Sequence, residues 1–213
     1  MTLYLLPNLL HPEANPNLSF VRGLKEVVDS LDGFFVETPK EARVYLKHFD
    51  FDKLKIKPME EIQEKNDLSP LVRGEKWGVI SDAGLPCIAD PGAKLVRAAR
   101  EKGIDVQAIP GPSSIFLALM LAGLESQSFI FQGYMPRDHK IERLSYLQVF
   151  IETPYNNEKT VEKLLSTLHP EDTLSIASDL TLPSQVVVTK KVKDWKERKN
   201  FHKKPAIFLI KTR

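Results

Sequence analysis

Residues 78–99 read GVISDAGLPCIADPGAKLVRAA. An apolar strand-like start ends in an acid, two glycines and two prolines, and then runs straight into an amphipathic helix. In an open α/β sheet, ligands sit beyond the carboxyl ends of the strands, where loops face a crevice. The strand WGVIS (77–81) would deliver Asp82, Ala83 and Gly84 to that edge. Gly84 permits a close backbone approach or a positive φ, and Pro86 and Pro91 stiffen the loop so that its amides keep a fixed direction. The stretch IPGPSSIF (109–116) repeats the device, with Gly111 after a strand and Ser113 and Ser114 as hydroxyl donors or caps at a helix start. Two such loops at consecutive strand ends point to one shared ligand; the alternative is a pair of tight turns with capping residues.

Working outward, apolar runs alternate with helical periodicity. TLYLL (2–6) is a short strand stopped by Pro7, and NLSFVRGLKEVVDSL (17–31) spaces Leu18, Val21, Leu24, Val27, Val28 and Leu31 like one helix face, with Gly33 beyond its end. GFFVET is a buried strand, PKEARVYLKHF a helix with proline at its first position, and IDVQAI (104–109) the strand after a helix over 94–102. Strand and helix in alternation are the grammar of a parallel sheet. From Ser114 the pattern changes. A very apolar helix SIFLALMLAG (114–123) precedes the strand-like runs SFIFQGYMP, QVFIETPY, TLSIASDL, SQVVVTKKVKDW and AIFLIKT, with one helix over 156–168. The expected fold is therefore α/β in two domains, 1–113 with a parallel sheet and 114–213 with a mixed sheet. PRDHKIERLSYL (136–147) begins like a helix yet leaves no turn residue before the strand QVFIETP, so either the helix is very short or residues are absent from the chain there.

Composition narrows the class. The chain has 213 residues, 42% hydrophobic and 27% charged, values ordinary for a globular protein. No apolar run approaches the ~20 residues of a membrane span, and the amino terminus lacks the basic region and small-residue cleavage site of a signal peptide, so a cytoplasmic protein is expected. A single cysteine, Cys87, excludes an internal disulfide framework and a zinc site of several thiolates. A net charge of +2 does not by itself diagnose nucleic-acid binding. The glycine-rich dinucleotide fingerprint, the P-loop, the hydrolase nucleophile elbow and the zincin helix motif are all missing.

The segments ISDAGLPCIADPGAKLVRAAREKGIDVQAIPGPSS and FIFQGYMPR resemble the signature of the tetrapyrrole-methylase superfamily, specifically the branch that holds the ribosomal small-subunit RNA methyltransferase I family. That branch carries S-D-A-G-x-P-x-I-[SA]-D-P-G, then P-G-P-S, then F-x-G-[FY]-x-P, in this order. The match is close over residues 79–137 and looser in LYLLPN, FFVETPKEARVYL, VFIETPY and IASDLT. The resemblance implies two α/β domains with S-adenosylmethionine in the cleft between them, no metal, and a homodimer. By position, the cofactor would touch Pro7, Asp82, Ala83, Gly84, Leu85, Ile88, Ser113 and Ser114, and from the second domain Glu152, Leu180, Pro205 and Ala206. The nucleophile in that family is a cytidine ribose 2'-hydroxyl, which must lose its proton; Glu37, Asp82 and Glu152 are the candidate acceptors, with a capping role as the alternative for each.

Three departures bear on substrate choice. LPNLLHPEANPN stands where the RNA enzymes have a glycine-rich T-P-I-G-N-L loop, Pro39 and Lys40 where threonine and arginine are usual, and ASDLT in place of R-E-L-T. The stretch 190–204 holds eight lysines or arginines with Trp195, Phe201 and His202 among them, a composition suited to gripping phosphates and stacking a base, or to a solvated edge segment. PRDHKIER (136–143) adds a smaller basic cluster. The two clusters favour an anionic substrate, and ribosomal RNA or the small ribosomal subunit is the partner that the resemblance implies. A small-molecule acceptor such as a tetrapyrrole, or a non-catalytic RNA-binding module on the same fold, are the alternatives.

Overall fold

The computed structural model describes residues 1–125, 127–138, 140–196, 201 and 203–213. The chain divides into two compact units, Met1–Ser113 and Ser114–Arg213.

The first unit contains β1 (Thr2–Leu6), α1 (Pro16–Ser19), α2 (Leu24–Asp29), β2 (Gly33–Val36), α3 (Pro39–Leu46), α4 (Phe51–Leu54), β3 (Met59–Glu61), α5 (Ser69–Val72), β4 (Lys76–Ile80), α6 (Ala93–Glu101) and β5 (Asp105–Ala108). Its sheet runs β3-β2-β4-β1-β5 with every pair parallel. The core strands β2 and β4 read as continuous apolar runs because both of their faces are covered. Leu6, Leu24, Val28, Phe34, Tyr45 and Leu46 pack on one face of the sheet, and Leu3, Phe35, Trp77, Val79, Leu95 and Ala99 on the other. Because all five strands point the same way, the loops after β1, β2, β4 and β5 emerge at one edge.

The second unit contains α7 (Ser114–Ala122), β6 (Phe129–Tyr134), β7 (Leu147–Glu152), α8 (Asn157–Thr167), β8 (Thr173–Ser178), β9 (Val186–Lys191), a 3₁₀ turn (Val192–Asp194) and β10 (Ala206–Lys211). Its sheet runs β6-β7-β10-β8-β9; β6 and β7 are parallel and the other pairs antiparallel, so the sheet is mixed. Phe150, Val161, Leu164, Ile176, Phe201 and Phe208 form its core.

Three segments differ from the sequence reading. The single helix expected over 17–31 is two short helices. The first ends at Phe20, whose backbone is extended, and the chain turns at Gly23 (φ 95°) before α2, which leaves Leu18 and Val21 exposed while Leu24, Val28 and Leu31 enter the core. No helix forms among the described residues of 136–146. There the chain is held by tertiary bonds instead: Arg143 donates through both terminal nitrogens to the Asp172 carboxylate at 3.0 Å, Gln148 donates to the Glu142 carbonyl, and Thr212 to that of Leu144. Phe201 is buried in the core, which removes it as a base-stacking surface. Of the basic stretch 190–204, residues 197–200 and 202 lie outside the described residues, as does His139 in 136–143.

Candidate functional site

The edge formed by the first unit's loops is built around Asn8. Its side-chain amide donates to the carbonyls of Ser81 (2.9 Å) and Asp82 (3.1 Å), and its own side-chain oxygen accepts from the Leu9 amide at 2.7 Å. Two backbone bonds complete the link: the Asn8 amide to the Gly84 carbonyl (2.7 Å) and the Gly84 amide to the Leu9 carbonyl (3.2 Å). The loop after β1 is thereby stitched to the loop after β4. Sequence reasoning missed Asn8; the available signal was an amide side chain directly after an apolar strand and a proline.

Gly84 sits at φ 66°, in the left-handed region, and a Cβ there would lie 3.2 Å from Leu10 and 3.6 Å from the Pro112 carbonyl. Cys87 (φ 71°) and Ala89 (φ 64°) share that conformation, so 81–92 is a compact, locally strained loop. Gly111 serves a different purpose from the ligand approach expected of it. A Cβ there would fall 2.0 Å from the Pro7 Cβ, so this glycine lets the β1 and β5 loops pass each other. Asp82, Ala83 and Ile88 are exposed, Leu85 half-buried, and Gly84 and Pro7 buried. Ser113 closes the first unit and Ser114 opens α7 of the second.

Three carboxylates converge at the same edge. Glu37 accepts the Asp82 amide through Oε2 at 3.0 Å, and Asp82 accepts the Thr38 amide (3.1 Å) and hydroxyl (2.7 Å). Asp90, partly desolvated and repelled by Glu37 and Asp82, has its pKa pushed up to about 6. None of the three forms an ion pair among the described residues. Crowded negative charge with no ion-pair partner among the described residues suits a cationic ligand.

In the second unit, β10 pairs Ala206 with Glu152 on one side and with Ser178 on the other. Glu152, Ala206 with the adjoining Pro205, and Leu180 therefore gather at one end of that sheet. Glu152 accepts the Thr153 amide (2.7 Å) through Oε1 and the Thr160 hydroxyl (2.7 Å) through Oε2. Lys204 and Ser184 bond to Asp179, which with Thr181 adopts a positive φ around Leu180.

The family model for Tetrapyrrole (Corrin/Porphyrin) Methylases matches residues 19–195. The chain belongs to this family. A tetrapyrrole methylase relative from Hydrogenobaculum sp. (strain Y04AAS1), named ribosomal RNA small subunit methyltransferase I, is 30% identical over 99% of the chain and 96% of its own length. A protein of the same name from Streptococcus pyogenes serotype M3 is 33% identical over 78% of the chain, and the match spans 60% of that relative's length. Among solved structures, diphthine synthase shares the tetrapyrrole methylase fold with a TM-score of 0.71 at 15% identity, over 99% of this chain and 89% of that one. The two α/β units, one sheet parallel and one mixed, are the architecture that the sequence led us to expect.

Proposed function

We propose that this chain transfers a methyl group from S-adenosylmethionine to a ribose 2'-hydroxyl of ribosomal RNA in the small subunit. The observation that carries the reading is the likeness to a named ribosomal RNA methyltransferase along nearly the whole chain. The loop edge of the first unit supports it. The bound cofactor supplies a methyl already activated on a positively charged sulfur. Glu37, Asp82 and Asp90 provide the negative field for that cation, Ala83 and Leu85 offer backbone groups from a loop that Asn8 holds still, and Gly84 keeps their path clear. Carried over from the resemblance, Pro7, Ile88, Ser113, Ser114, Glu152, Leu180, Pro205 and Ala206 complete the proposed cofactor contacts. The protein's work is alignment and exclusion of water.

Among the three candidate proton acceptors, Asp82 has both carboxylate oxygens bonded to Thr38 and Glu152 has both bonded to threonines. Glu37 accepts through Oε2 alone, which leaves Oε1 for the acceptor hydroxyl. Glu37 is the acceptor we assign. A cytoplasmic site of action follows from a ribosomal substrate, and no helix among the described residues is long and apolar enough to cross a membrane.

A homodimer completes the proposal. The sequence SIFLALMLA of α7 is apolar nearly all round; Ile115, Ala118 and Ala122 pack inward while Phe116, Met120 and Leu121 are exposed. Phe129 and Ile130 of the edge strand β6 extend the same kind of surface, with Phe116 edge-on to Phe129 at 6.0 Å. An apolar surface of this sort is suited to an isologous contact.

The test is transfer of labelled methyl from S-adenosylmethionine to small ribosomal subunits from cells lacking the protein, followed by nuclease mapping. Alkali-resistant label on one ribose is expected. Cofactor binding without label would assign another acceptor, such as a tetrapyrrole; neither binding nor label would leave a non-catalytic module.

A further inference from the structure

The second unit carries a cavity of about 550 Å³ at the carboxyl ends of the parallel strands β6 and β7 and the start of α8. A pocket of this volume admits one nucleotide. We propose that it is a binding subsite for one unstacked nucleotide of a single-stranded RNA substrate, an inference that rests on RNA being the substrate.

The chemistry of the lining matches that ligand part by part. Tyr134 leaves β6 at the rim with 62% of its surface exposed, a ring face on which a base can stack. Arg137 and Lys159 approach from the loop after β6 and from α8; both are exposed, and neither is ion-paired among the described residues. Two such cations flanking a cavity are placed for the phosphates on either side of the nucleotide. The polar floor is already ordered. Glu152 holds the Thr153 and Thr160 hydroxyls, and the Asn156 amide donates to the Thr153 hydroxyl at 2.8 Å, which fixes its side-chain oxygen as an acceptor for a sugar hydroxyl or a base amine.

The experiment measures two affinities on the full chain: that for a short fluorescein-labelled single-stranded RNA of mixed sequence, by anisotropy, and that for S-adenosylmethionine, by calorimetry. Tyr134→Ala is expected to weaken RNA binding about tenfold, and Tyr134→Phe, which keeps the stacking face, to stay within about twofold of wild type. Lys159→Gln is expected to reduce the slope of log affinity against log salt by about 0.7, the share of one phosphate contact on a single strand. Cofactor affinity and melting temperature stay unchanged in all three. Wild-type RNA binding and methylation with no effect of Tyr134→Ala or Lys159→Gln would overturn the subsite and leave the methyltransferase reading standing. Loss of cofactor affinity with RNA affinity intact would reassign the cavity to the cofactor. A wild-type protein that neither binds nor methylates RNA would remove the substrate reading, and the subsite with it.

Discussion

At the scale of single residues, the acid cluster after β4 makes the sharpest demands. Asp90 keeps its proton up to about pH 6 in the folded chain, against an ordinary value of 3.8. A carboxyl whose pKa is raised by folding contributes stability below its unfolded value and loses it as pH rises through the folded one. Asp90→Asn should therefore stabilise the apo protein at pH 8 by about 1 kcal/mol, after allowance for solvent screening at a half-exposed site, and change nothing below pH 4. Urea unfolding at the two pH values measures this. Glu37→Gln keeps the oxygen that accepts the Asp82 amide but cannot take a proton. Methyl transfer should fall about 10²–10⁴-fold while cofactor affinity stays within a few-fold. Equal losses of both in calorimetry and turnover assays would reduce Glu37 to a loop brace.

At the scale of elements, the strength of each segment follows how much of its pattern is apolar and continuous. Leu164 of α8 is fully buried against the second sheet, and Leu164→Ala should cost about 2–5 kcal/mol, read as a fall in the unfolding midpoint. The strands with unbroken apolar runs, such as GFFV of β2 and AIFLIK of β10, were legible from sequence because a strand buried on both faces needs no polar alternation. β3 was not legible: its three residues Met-Glu-Glu lie at the sheet edge, and only pairing with β2 makes them a strand. At 136–147, left open by the sequence between a very short helix and absent residues, the described residues before β7 form no helix; Arg143 bonds instead to Asp172, whose carboxylate also caps the His169 amide. The candidate site divides in the same way. Its loops were readable from glycine and proline spacing. The bonds that lock them, from Asn8 to Ser81 and from Thr38 to Asp82, join residues more than 40 apart, and no local pattern announces them.

At the scale of the whole molecule, self-association is the first property to check. Met120→Glu places a charge in the most exposed position of the α7 surface, at 76% exposure, and should shift the protein from dimer to monomer in light scattering without lowering its melting temperature below that of the monomer. A wild-type monomer at assay concentration would dispose of the homodimer.

The order of strands in the second sheet also sets a timetable for biosynthesis. β10 is made after β6, β7, β8 and β9, yet it lies between β7 and β8 and is the neighbour through which they are joined. While the chain is being translated at roughly 5–20 residues per second, β6–β7 and β8–β9 can exist only as two separate ribbons with open inner edges. Closure waits until residues 206–211 clear the ribosome. Until then Phe150 and Ile176 lack the Phe208 side chain between them, so the nascent second unit is the part of this protein that a chaperone would meet.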